Sequence, residues 1–173
     1  MFSGCTGLTT VPNLPATTLR AYCYQYMFNG CTSLTTLPSN LLPATTLAEY
    51  CYSDMFKGCT SLTTLPNLPA TKLPRYCYYD MFQYCSSLVE TPGDWILPAK
   101  TLDSGSVAYM FYGCSKLQKM AVSYSGTITA SHWQYWMNYV SSKGTFYYSK
   151  NQTKENIKSI VPSGWTLVKS SSW

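Results

Sequence analysis

The stretch MFNGCTSLTTLPSNLLPATTLAEYCYSD, residues 27–54, decides the fold, because the chain keeps returning to it. Met-Phe opens it and recurs at Met1-Phe2, Met55-Phe56, Met81-Phe82 and Met110-Phe111, in steps of 26, 28, 26 and 29 residues. The unit before it reads MFSGCTGLTTVPNLPATTLRAYCYQY, and the unit after it MFKGCTSLTTLPNLPATKLPRYCYYD. A fourth is looser, and a fifth opens as MFYGCSKLQKM before departing. The length differences fall at one place, after the proline of TLP or ETP. From Leu14, Leu42, Leu68 and Leu97 to the next Met-Phe the spacing is constant at thirteen residues. A loop that varies at one corner of an otherwise fixed unit is what stacked coils tolerate. Self-similarity at this period predicts a solenoid.

Two local patterns alternate within each unit. Leu19, Cys23, Met27 and Cys31 step by four, with Phe28 and Leu34 on a neighbouring angle. An apolar stripe at that spacing predicts a short helix through TLxxYCYxxMF. Gly4, Gly30, Gly58 and Gly113 stand where such a helix would end, glycine being free of the left-handed penalty. Threonine-rich LTTVP, LTTLP, LTTLP, LVETP and LQKMA follow and read as short strands, four of them stopped by a proline that cannot donate to a ladder. One strand and one short helix per 26–29 residues fits the leucine-rich-repeat range of roughly 20–29. The expected fold class is therefore α/β, a solenoid of such coils over residues 1–120 with coils starting at Met1, Met27, Met55, Met81 and Met110. Residues 121–173 are expected to form a C-terminal cap, in which Trp133, Trp136, Met137 and Val140 lie at helical spacing and GTFYYS and GWTLV supply strands. Met1 already lies inside a repeat, so the chain is expected to be a piece of a longer solenoid.

Composition narrows the function classes. Only 11% of the 173 residues are charged, against roughly 25% in an average protein. No apolar run approaches the roughly 18 residues of a membrane span. The net charge of +5 is uneven: residues 1–115 hold five basic and six acidic groups, whereas residues 116–173 hold seven lysines against Glu155. Those lysines are spread out rather than clustered in a basic run, which favours a solvated surface over a nucleic-acid partner.

The motif MF-x-GC-T-S-L-T-T-L-P, with CY-x-x upstream, resembles the BspA-type leucine-rich repeats of surface proteins from gut and oral anaerobic bacteria. The resemblance covers residues 1–120. The tail is similar to the terminal segment of such proteins, with its Trp-rich segment, Gly144-Thr145-Phe146 and Pro162 to Thr166. Two departures are Tyr84, where the repeat expects glycine, and the DSGSV stretch, which lacks the Tyr-Cys-Tyr triplet. The resemblance implies a non-enzymatic adhesion or interaction role at the cell surface or outside the cell. The implied partner is a host or bacterial surface protein, or a glycan. A purely structural spacer of a surface or phage-fibre protein is the alternative.

Motifs for chemistry are thin. Phe2-Ser3-Gly4-Cys5 mimics a lipoprotein cleavage box, but FNGC, FKGC and FYGC recur at the same register and no apolar segment precedes it. The eight cysteines fall in two columns, Cys5, Cys31, Cys59, Cys85, Cys114 and Cys23, Cys51, Cys77. Their spacing is not a zinc pattern, and one histidine, His132, leaves few further ligands. No metal, cofactor or catalytic residue is expected, and the cysteines read as small buried hydrophobes, with unpaired thiols favoured over bridges 23–31, 51–59 and 77–85. Binding is expected on the strand face. If Val11, Leu37 and Leu65 point inward, their neighbours point outward. Thr10, Thr36, Thr64, Glu90 and Lys119 then form an exposed row beside the inserted Gly93-Asp94-Trp95 loop, with Trp95 as an aromatic anchor.

Overall fold

A computed structural model describes residues 1–92 and 97–171. The segment read as a helix in each unit is instead a ribbon of overlapping turns. The amides of Cys23, Gln25, Met27, Asn29 and Cys31 each donate to the carbonyl three residues back, at 3.1–3.4 Å. The amides between them, on Tyr22, Tyr24, Tyr26, Phe28 and Gly30, turn the other way. They donate to the carbonyls of Glu49, Cys51, Ser53, Met55 and Lys57 in the next unit, at 2.8–3.1 Å. The same alternation joins residues 50–58 to 75–83 and residues 76–84 to 104–112. Half the amides thus close turns inside a unit and half tie it to its neighbour, which satisfies a buried backbone as fully as a helix would.

The expectation of a helix fails on the number four. An α-helix advances about 100° per residue, so strict steps of four drift about 40° each and leave one face within three steps. The ribbon repeats at four residues without drift, because every fourth residue takes a left-handed conformation. Tyr22, Tyr26 and Gly30 have φ of 62°, 56° and 71°; Tyr50, Asp54 and Gly58 have 55°, 56° and 72°. Tyr84, the departure from glycine, adopts the same conformation at φ 61°. Among the described residues the α-helix is α1 (Lys154–Lys158), capped by the Thr153 side chain, which accepts from the Asn156 amide.

The strands expected in LQKMA, GTFYYS and GWTLV are present, but the LTT segments of the first three units hold no regular strand pairing. Between the second and third of these units the Thr64 hydroxyl accepts from the Leu37 amide at 2.8 Å, taking the place of a backbone partner. Parallel pairing appears instead one corner later, between β1 (Lys72–Leu73) and β2 (Thr101–Leu102), with a matching bridge from Thr18 to Thr46. A second sheet runs in the order β3 (Lys119–Val122), β4 (Gly144–Tyr148), β5 (Trp165–Lys169), all parallel.

The core is a set of like-on-like columns. The rings of Phe2, Phe28, Phe56, Phe82 and Phe111 stack at 5.5–5.6 Å between centroids. Trp136 then closes the column edge-on at 6.0 Å. Such pairs are worth about 0.5–1.5 kcal/mol each beyond their burial. The cysteine column lies alongside, each thiol reaching the Phe carbonyl of the preceding unit: Cys31 to Phe2, Cys59 to Phe28, Cys85 to Phe56 and Cys114 to Phe82, at 3.1–3.2 Å. All eight cysteines are free, and Cys5 and Cys23 alone among them are exposed.

The segment expected to begin a separate cap carries the same ribbon. Tyr109, Phe111 and Gly113 donate to the carbonyls of Gln134, Trp136 and Asn138, and Tyr135 and Tyr139 are left-handed at φ 53° and 60°. Trp136-Met137 therefore occupies the Met-Phe position of a further unit, with the large ring moved one place forward. The helix expected through Trp133 and Val140 is replaced by turns.

Candidate functional site

The described residues of the expected binding row all reach the surface. Thr10, Thr36, Thr64, Glu90 and Lys119 are all exposed, above buried Leu37 and Leu65 and half-buried Val11. Glu90 pairs with Lys119 in register, and Lys119 with Thr145 and Thr145 with Thr166, so the row continues into the C-terminal sheet. Its charges are not free. Lys119 Nζ lies 3.0 Å from Glu90 Oε2, with both side chains about half exposed, and the carboxylate pushes the lysine pKa up. Trp95, together with Gly93 and Asp94, lies outside the described residues, so the expected anchor cannot be placed beside the row.

The surface formed by the turn ribbons is rich in tyrosine. Tyr22, Tyr50 and Tyr76 stack at 5.1 and 4.9 Å, and Arg75 covers the last ring at 4.9 Å from its centroid. That stack stops because the next two residues of its column are Gly105 and Ser131. Gly105 takes the left-handed conformation at φ 66°, and any Cβ there would meet the Tyr76 ring. Where the column loses its rings an open groove of about 450 Å³ remains. Tyr76, Tyr79 and Tyr109 line it together with Ser104, Ser131 and Gln134. Tyr79 meets Tyr76 edge-on (88°) and Tyr109 at 59°, so these rings are splayed rather than stacked. Burial, and then the charge of Asp80, pushes Tyr79 up to about 12, which keeps its hydroxyl a neutral donor. The sequence reading did not find this groove. Its signal was the missing Tyr-Cys-Tyr triplet, which the unit alignment turns into a gap in a tyrosine column.

A second feature missed in the sequence is an ion cluster under the same ribbon. Asp54 and Asp80, both left-handed and buried, share Lys57 at 3.2 and 2.7 Å. Ser53 donates to Asp54 at 2.6 Å and the Gln83 amide to Asp80 at 3.1 Å. Burial raises Asp80 to about 6, against the opposing pull of Lys57. Every polar partner here comes from the ribbon itself, which marks the cluster as a fastening between units.

The buried members of the cysteine columns are held as thiols. Burial pushes Cys51, Cys59 and Cys114 up to about 12, so they persist as thiols rather than the reactive thiolate. Among the described residues no three His, Cys, Asp or Glu side chains gather as a metal site, and no helix is long and apolar enough to cross a membrane. No family model, curated protein or solved structure matches the chain.

Proposed function

We propose that the chain is a non-catalytic interaction module of a cell surface, a leucine-rich-repeat solenoid that binds a protein or glycan partner on one of its long faces. The observation that carries this reading is the contrast between inside and outside. Beneath the surface, the Phe, Cys and Leu columns repeat almost unchanged from unit to unit. Above them, the exposed row reads Thr10, Thr36, Thr64, Glu90 and Lys119, continued in register by half-buried Thr145, and the tyrosine face changes to Gly105 and Ser131. A spacer needs the uniform interior and has no use for the varied exterior. The high thiol pKa values and the self-satisfied ion cluster support a structural rather than chemical role for the polar groups inside.

The reading is tested by presenting the intact chain as bait to host and bacterial surface proteins and to a glycan array. Saturable binding of one partner, competed by free chain, is expected. Absence of any saturable partner in both formats would favour the spacer. Glu90→Ala and Lys119→Ala, both on exposed side chains, then ask whether the strand-face row is the contact surface; unchanged affinity moves the contact to the tyrosine face.

A further inference from the structure

The groove at the end of the tyrosine stack combines three properties that point to one ligand class. Its walls are aromatic: Tyr50 and Tyr76 end the stack, while Tyr79 and Tyr109 stand splayed, their rings not closed into a face-to-face pile. Its polar lining is hydroxyl and amide, from exposed Ser104, Ser131 and Gln134. No lining residue carries a formal charge. Its volume of about 450 Å³ lies within the roughly 300–1,000 Å³ of small-ligand sites, which are built from apolar and aromatic walls with a few placed polar groups.

We propose that this groove binds a neutral glycan segment, with the pyranose C–H faces against the tyrosine rings and the sugar hydroxyls on Ser104, Ser131 and Gln134. A charged peptide or anionic polymer finds no counter-charge among the lining residues, the one cation beside them, Arg75, being engaged over the Tyr76 ring. A purely apolar ligand would strand the polar rim, since buried amides and hydroxyls left without partners cost about 1–3 kcal/mol each. A sugar ring satisfies both kinds of lining, because one face of a pyranose is C–H and its edge is a belt of hydroxyls. The tyrosines suit this as rigid, amphipathic contact surfaces with a polar tip.

The site arises from the repeat itself. A tyrosine at the Gly105 position would continue the stack and fill the groove. Gly105 admits no side chain without displacing the Tyr76 ring, and Ser131 extends the gap by one more unit. Two small residues in succession in a column otherwise held by Tyr22, Tyr50 and Tyr76 hold the groove open.

The proposal rests on the interaction-module reading and is tested apart from it. The intact chain is applied to immobilised neutral hexose oligosaccharides (glucans, mannans and galactans), and the best binder is titrated against three variants. Ser131→Tyr restores a ring at an exposed position and blocks the groove; Gln134→Ala removes a rim donor; Lys150→Ala changes an exposed residue outside the groove lining. Circular dichroism and the melting temperature check that each is folded. The expected result is at least a tenfold loss of affinity in Ser131→Tyr, a smaller loss in Gln134→Ala and no change in Lys150→Ala. No neutral oligosaccharide bound by the intact chain overturns the proposal and leaves the wider reading to its protein arm. Oligosaccharide binding that survives Ser131→Tyr overturns the groove assignment. A protein partner blocked by Ser131→Tyr, with no oligosaccharide bound, reassigns the groove to protein recognition and overturns the glycan.

Discussion

Replacing Lys57 by methionine would test how the ion cluster holds the units together. Methionine keeps most of the lysine stem and removes the charge that Asp54 and Asp80 share at 3.2 and 2.7 Å. The carboxylate side chains are 5% and 6% exposed, the lysine 31%. Removing one partner of a buried pair costs about 3–5 kcal/mol, because the other charge stays buried without compensation. Since nearly a third of the lysine reaches water, we expect the low end, about 3 kcal/mol at pH 8. The pH dependence follows from Asp80, which burial raises to about 6, above the usual value of about 3.9 for an unfolded aspartate. Between those values the folded chain binds more protons than the unfolded chain, so stability falls as pH rises through that window. Without Lys57 the two carboxylates repel, Asp80 rises further, and the window widens toward neutrality. K57M should therefore be most destabilised at pH 8 and recover much of the loss at pH 5. Urea unfolding followed by circular dichroism at the two pH values measures both. A loss under about 1 kcal/mol at pH 8, or an equal loss at both pH values, would refute the reasoning. Asp80→Asn added to K57M should restore part of the stability, because asparagine tolerates the left-handed conformation and still accepts from Gln83.

The exposures of the cysteines predict two thiols, Cys5 and Cys23, reacting promptly with a thiol reagent in the native protein, and eight in denaturant without reductant; two in denaturant would mean that bridges had formed. Ser106 stands fully buried in the column of Cys23, Cys51 and Cys77 with an unpartnered hydroxyl, so Ser106→Cys should raise stability by about 1 kcal/mol in urea titration. Gly58→Ala should cost about 1–2 kcal/mol because φ is +72°, whereas Tyr84→Gly should change stability by less than about 1 kcal/mol, relief of the left-handed strain offsetting lost ring contacts. Truncation before Gly126 removes the carbonyls that Tyr109, Phe111 and Gly113 bond to and uncovers Phe111 and Met120; the truncated chain should aggregate in sedimentation or light scattering, and a monomer of unchanged melting temperature would refute that.

The sequence made the columns legible and left their backbone illegible. Leu19, Met27 and Cys31 are buried on one line, with Cys23 exposed on it in the first unit, and in later units Cys51, Met55 and Cys59 are fully buried on it. Helix and four-residue ribbon differ by 0.4 residue per turn, too little for three steps of four to register unless the absence of drift is itself taken as the signal. The left-handed tyrosines gave no warning either, since bulky residues rarely adopt that conformation. They tolerate it here because stacked neighbours and two-directional hydrogen bonding hold them. At the strand face, exposure of the threonine row followed from its position beside Leu37 and Leu65. The Glu90–Lys119 pair did not, because its members are 29 residues apart and meet only through the register of two units. The groove was hidden for a related reason. It is made by residues that are missing from a column, and a local motif search finds what is present.

The turn ribbon has an electrical consequence. Its inter-unit amides all point from one unit toward the next, from Tyr22, Tyr24, Tyr26, Phe28 and Gly30 onward to Tyr109, Phe111 and Gly113. Peptide dipoles aligned head to tail add, as they do along a helix axis, but here the axis is that of the whole stack. The wall of turns is a macrodipole whose carbonyl end faces the first unit and whose amide end faces the last. Residues 116–173 add a formal charge of +6 at that amide end, while residues 1–115 sum to −1. Fixed charge and backbone dipole therefore have the same sense. Near an anionic surface such a molecule experiences a torque before it experiences contact. It would tend to arrive with its C-terminal units leading and its long faces standing clear of the surface, free on both sides.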